Sequence, residues 1–144
     1  MKNIWMMALC VSFMLVCQSA KAADKGVVPT PVSSAGDAIN GKHQAKRCKG
    51  CHSFNSGGRQ MTGPNLFGVY GRTAGKNAGF SKYSGDLKKA TFVWDEASLA
   101  AWVCSSKEAI KALTGNPAAK TRMSVQKKCG TKGQDIAAYL KSLK

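Results

Sequence analysis

The chain has 144 residues, with 22 Lys and Arg against 7 Asp and Glu, for a formal net charge of +15 at pH 7. That length holds one small domain and little more. So basic a balance favours solubility and fast encounter with acidic surfaces; it raises nucleic acid as a partner, but no groove-reading motif supports one.

Residues 1–22 read as a secretory signal peptide: Lys2, an apolar stretch from Ile4 to Cys17, and an A-x-A cleavage site at Ala20-Lys21-Ala22. The apolar run is shorter than the roughly 20 residues a spanning helix needs, and nothing later in the chain is long and apolar enough to insert stably in a membrane. Cleavage near Ala22 leaves a periplasmic chain of 144 − 22 = 122 residues with a net charge of 20 − 7 = +13. Retention of the segment as an anchor is the alternative. Residues 23–34, with Pro29 and Pro31 and no helical period, read as a flexible leader.

The domain proper is expected over residues 35–144. Ser34 with Asp37 is a weak capping-box start for a helix from Ala35 to Lys49. The stretch Cys48-Lys49-Gly50-Cys51-His52 follows. Two thiols three apart and an adjoining imidazole form the attachment pattern for c-type haem. Cys48 and Cys51 would each form a thioether, and His52 would be the proximal iron ligand. A zinc half-site or a dithiol redox pair shares the CxxC. Zinc would want a second pair at comparable spacing, and a thioredoxin-like site would want alternating strands and helices; neither pattern is present.

Ser53 to Asn77 is a glycine-rich loop containing Thr62-Gly63-Pro64-Asn65-Leu66. A proline lacks an N–H, so its carbonyl is often free to accept, and a ligating histidine needs an acceptor on its far nitrogen. A short helix is expected around Ser84 to Ala90. Trp94-Asp95-Glu96 opens another, with Leu99, Trp102 and Val103 on its apolar face. Ser106 to Leu113 is helical in composition, and Thr114-Gly115-Asn116-Pro117 ends it. Thr131 with Gln134 reads as a capping box for a last helix carrying Ile136, Ala137, Tyr139, Leu140 and Leu143 at helical spacing. The fold class is all-α.

Beyond the signal only Met61 and Met123 can supply a thioether. Met61 follows His52 by nine residues, too close to reach the other side of a porphyrin; Met123 lies 123 − 52 = 71 residues on, in a loop that can wrap around. Met123 is the expected sixth ligand; His43 or an open position is the alternative. Cys104 and Cys129 remain once Cys10 and Cys17 leave with the signal. In an oxidising compartment a disulfide between them is expected, against two buried free thiols. Its loop spans 129 − 104 = 25 positions, for which chain entropy gives about 3.5 kcal/mol.

The order of these elements resembles class I cytochrome c, close to the bacterial cytochrome c2 type with a long methionine loop. The resemblance covers residues 35–144 and rests on the Cys48–His52 pentapeptide, Gly63-Pro64-Asn65-Leu66, Gly68, Gly71-Arg72, Gly79-Phe80, Tyr83, Trp94-Asp95-Glu96, Met123 and Ile136-Ala137-Ala138-Tyr139-Leu140. It implies crossing N- and C-terminal helices, with short helices and loops wrapping one covalently bound haem c. It implies that the Pro64 carbonyl accepts from His52, and that Arg72, Tyr83 and Trp94 hydrogen-bond the haem propionates. It puts Gly41 where the first helix crosses the last near Tyr139, and Trp102 where the family usually has a tyrosine near the methionine sulfur. The chain departs at Gln44, where an aromatic is expected; at Trp102, which has no hydroxyl; and at Cys104 and Cys129, which are not general family features.

The function so implied is one-electron transfer, not enzymatic turnover, by a monomer that docks on acidic surfaces of redox proteins: a cytochrome bc-type complex, a terminal oxidase, a reaction centre or a periplasmic dehydrogenase. A five-coordinate haem that binds a gas or peroxide is the alternative, and a zinc or disulfide module a third reading.

Overall fold

The computed structural model describes residues 35–144; the signal peptide, the leader and a cap at Ser34 lie outside them. Five α-helices follow in order: α1 (Ala38–Gln44), α2 (Gly85–Lys89), α3 (Glu96–Cys104), α4 (Ser106–Thr114) and α5 (Thr131–Ser142). A 3-10 helix over Ala45–Gly50 continues α1. Among the described residues the sole β-type pairing is an isolated antiparallel bridge between Thr73 and Val93.

The first helix is shorter than expected and changes character midway. Asp37 starts it, its carboxylate accepting from the backbone of Ile39 (2.7 Å) and Asn40 (3.2 Å), the usual role of an N-cap aspartate. The α-helical pattern stops at Gln44 because this segment has little apolar stripe to hold it. The N–H of Ala45 is shared between the carbonyls of Gly41 and His43, a three-centre bond that tightens the chain into the 3-10 turn. That turn presents Cys48 and Cys51.

Helices α1 and α5 cross where α1 has no side chain, at Gly41. A Cβ at Gly41 would collide with the Asp135 carbonyl, and one at Gly36 with that of Gln134. Asp135 is buried, and its Oδ1 accepts the N–H of Asp37 at 2.8 Å, which fixes the crossing. Gln44, in place of an aromatic, accepts from Lys128 Nζ at 3.1 Å. It therefore packs through a polar bond and not a ring.

Helix α3 starts on a full capping box: Asp95 Oδ1 accepts from Ser98 N at 2.7 Å, and Ser98 Oγ accepts from Asp95 N at 2.8 Å. The box expected at Thr131 is not formed. Gly130 is the N-cap of α5, at φ 58° and with no side-chain cap. The chain leaving Cys129 must enter a left-handed conformation there, which glycine adopts cheaply. Leu99, Ile110, Ile136, Ala137 and Leu140 are buried between α3, α4 and α5, with Trp94 and Trp102 beside them. No helix among the described residues is long and apolar enough to cross a membrane.

Candidate haem site

His52 ends the pentapeptide, and the following loop is built around its ring. Its backbone N–H donates to Cys48 O at 2.9 Å, and Gly63 N donates to Cys51 O at 2.8 Å. The ring nitrogen Nδ1 lies 2.7 Å from the Pro64 carbonyl. A carbonyl only accepts, so Nδ1 carries the hydrogen and Nε2 keeps its lone pair. Burial holds the imidazole below its usual pKa, with the Pro64 bond opposing. The neutral form is the one a metal binds. Gly63 allows the ring to lie flat on the loop, since a Cβ there would run into the imidazole.

Asn65 holds this loop together. Its buried amide donates to Asn55 O and Gly58 O at 3.0 Å each, and its own N–H donates to Gln60 Oε1 at 2.9 Å. Its importance beside Pro64 is readable in the sequence only as part of the family pattern. Met61 belongs to the same turn, its N–H donating to Gly63 O at 3.0 Å. That places it with the support of His52. His43 is exposed on α1, away from this loop in sequence and in bonding.

Cys48 is half-buried and Cys51 exposed, and both are free thiols. Burial pushes the Cys48 thiol pKa up, with Lys128 opposing. No cluster of three or more His, Cys, Asp or Glu among the described residues is arranged to hold a metal ion, so the zinc reading of the CxxC finds no further ligands. Cys104 and Cys129 are joined in a disulfide, with Cα atoms 4.4 Å apart.

Met123 is half-buried and held at both ends. Its Sδ accepts the indole N–H of Trp102 at 3.0 Å, and its carbonyl accepts the hydroxyl of Ser106 at 2.9 Å. Trp102 thus supplies a donor although it has no hydroxyl. Ser106 carries no sequence signal; it is one serine in a stretch of helical composition. A thioether that accepts one hydrogen bond still has a lone pair for a metal.

The residues expected around the propionates are distributed as follows. Arg72 donates to Asn65 O at 3.1 Å and Phe67 O at 3.4 Å, and burial pushes its pKa down. Burial raises that of Tyr83, opposed by a bond to the Asn77 backbone and by the Arg72 charge. Tyr83 meets Phe80 edge-on at 4.7 Å. Trp94 meets Phe92 and Trp102 edge-on at 4.9 and 5.0 Å. Two free thiols, an imidazole with Nε2 available and a fixed thioether fit a covalently attached haem.

No family model matches the chain. It is similar to cytochrome c2 of Rhodospirillum rubrum, 38% identical over 111 residues, covering 76% of this chain and 99% of that one. It is similar to cytochrome c-550 of Novispirillum itersonii, 39% identical over 112 residues, covering 76% of this chain and all (100%) of that one. The crystal structure of cytochrome c2 from Rhodobacter sphaeroides superposes with a TM-score of 0.68 at 34% identity, covering 75% of this chain and 96% of that one. These relatives support electron transfer over the five-coordinate alternative. The chain belongs to the cytochrome c2 group of class I c-type cytochromes, monohaem electron carriers with the all-α cytochrome c fold and one covalently attached haem c.

Proposed function

We propose that this chain is a periplasmic electron shuttle whose haem is bonded to Cys48 and Cys51 and whose iron is ligated by His52 Nε2 and Met123 Sδ. The haem supplies a one-electron couple. The protein supplies the ligands, a pocket of low polarity and a charged exterior. The observation that carries the reading is the 2.7 Å contact of His52 Nδ1 with the Pro64 carbonyl, which commits the hydrogen to Nδ1 and leaves Nε2 available. Arg72, Tyr83, Trp94 and Trp102 line the haem pocket, the first three toward the propionates. Carbon monoxide added to the reduced protein tests the ligation: a Met123-ligated iron resists it, and rapid tight binding would argue for an open position.

The carrier acts as a monomer, exported and cleaved near Ala22, and meets acidic patches on a cytochrome bc-type complex, a terminal oxidase, a reaction centre or a periplasmic dehydrogenase. Lys49, Lys82, Lys120, Arg122 and Lys127 are exposed and cationic. Docking through them makes small, fast, salt-sensitive contacts. Electron-transfer rates that fall steeply as ionic strength rises support such steering; a flat profile removes it. The mass of the purified protein tests the cleavage site.

A further inference from the structure

The segment between α3 and α5 leaves from Cys104 and returns at Cys129, and the two are bonded across its neck. Within it lie α4 and Met123. Two backbone bonds sit beside the bridge: Lys127 N and Lys128 N donate to the Cys104 and Val103 carbonyls, both at 3.1 Å. Lys128 also reaches α1, its Nζ donating to Gln44 Oε1 at 3.1 Å. Gln44, Cys104 and Cys129, three of the positions at which the chain departs from the family pattern, are therefore linked through one lysine.

The two sulfurs are not equally covered. Cys104 ends α3 and is half-buried, whereas Cys129 is exposed. A Cβ on the next residue, Gly130, would meet nothing within 4 Å, so the approach to Cys129 is open on that side. Lys127 and Lys128 precede it, and no Asp or Glu occurs between Glu108 and Asp135. A cationic setting of this kind favours a thiolate arriving at a sulfur or leaving from one. The bridge is tied to Met123 by a short route. Ser106, two residues past Cys104, is buried at 0% exposure and donates its hydroxyl to the Met123 carbonyl at 2.9 Å. A shift of the Cys104 end is passed to Met123 through that bond.

We propose that the Cys104–Cys129 bridge is an exchange site for a dithiol, and that its reduction loosens the Met123 loop enough to admit a competing ligand at the sixth position of the iron. The second half rests on the reading of Met123 as an axial ligand. One thiolate of the dithiol attacks the Cys129 sulfur. A mixed disulfide forms, the Cys104–Cys129 bond breaks, and Cys104 leaves as a thiolate that takes up a proton. The second thiol then displaces Cys129 and closes the dithiol's own disulfide. Two electrons and two protons pass from the dithiol to the cysteine pair. With the bridge intact, the loop opens only about a fixed neck. Without it, the open form gains the chain entropy that the bridge withholds. The same chain is a closed carrier when bridged and open to ligands when reduced.

The test uses the ferric holoprotein without denaturant. It is treated with dithiothreitol, capped with iodoacetamide, freed of reagents, returned to the ferric state with ferricyanide and titrated with imidazole. The mass after capping counts the released thiols, since Cys48 and Cys51 are held in thioethers. Capping of both Cys104 and Cys129 is expected. Imidazole then binds about tenfold more tightly than to the parent, below the limit that loop-closure entropy sets for a separation of 25 positions. The double variant Cys104→Ser, Cys129→Ser shows the same gain with no reagent. Gly41→Ala, destabilised at the α1–α5 crossing, keeps the parental affinity. Capping that proceeds only in guanidinium overturns the exchange site. Parental affinity in the double variant, or an equal gain in Gly41→Ala, overturns the control of the sixth position. The far-red iron–sulfur band keeps these failures apart from that of the ligation reading. A parent that lacks the band and matches Met123→Ala has lost the ligand assignment and the control of the sixth position with it, while the exchange site is still decided by mass alone.

Discussion

Gly41 in α1 lies against the main-chain carbonyl of Asp135 in α5, with no room for a side chain between them. The crossing of the first and last helices depends on this approach. Gly41→Ala forces the helices apart, since the obstacle is backbone and cannot rotate away. A loss of about 1–3 kcal/mol is expected for overpacking of this kind, read as a lower guanidinium midpoint. Gly50 offers the contrast: a Cβ there would meet nothing within 4 Å, and its φ is not positive. Gly50→Ala is therefore expected to leave stability within about 0.5 kcal/mol of the parent.

The Cys104–Cys129 bridge closes the segment that carries Met123. Replacing both cysteines by serine should lower stability by up to about 3.5 kcal/mol, the loop-entropy value for 25 positions of separation. Denaturant unfolding of the double variant, compared with the parent, checks this. Equal midpoints would mean that the backbone bonds from Lys127 and Lys128 hold the loop unaided.

Much of the fold and the site is legible in the sequence because it is local. The pentapeptide, the Gly63-Pro64 turn and the α3 start all declare themselves through residues a few positions apart. The helix expected over 35–49 is too long because its thin apolar stripe does not hold the α-helical pattern past Gln44, where the chain tightens into a 3-10 turn. The α5 box at Thr131 fails because Gly130, at φ 58°, is the N-cap and Thr131 is already the first helical residue, one position too late to cap. Ser106 is invisible because its partner, Met123, is 17 residues away. Trp102 stands out in the sequence as a departure, and the geometry shows that its indole N–H supplies the donor that its missing hydroxyl would not.

Asp95 provides a pH-dependent contribution. The Ser98 side chain and backbone N–H bond its carboxylate and hold its pKa below the ordinary aspartate value. A carboxylate lowered on folding stabilises the protein above its unfolded pKa, and that contribution disappears as pH falls through the folded value. Asp95→Asn keeps a capping oxygen but removes the charge. Its stability curve should fall less steeply than the parent's on the acid side. Parallel acid limbs in the two proteins would show that Asp95 makes no such contribution.

The proposed ligation by His52 and Met123 stands or falls on the sulfur of Met123. The direct measurement is the absorption spectrum of the ferric holoprotein, followed through the far-red band of an iron–thioether bond, in the parent, Met123→Ala and His43→Ala. The band is expected in the parent and in His43→Ala, and its disappearance in Met123→Ala. A parent without the band, or one that loses it in His43→Ala and keeps it in Met123→Ala, would contradict the assignment.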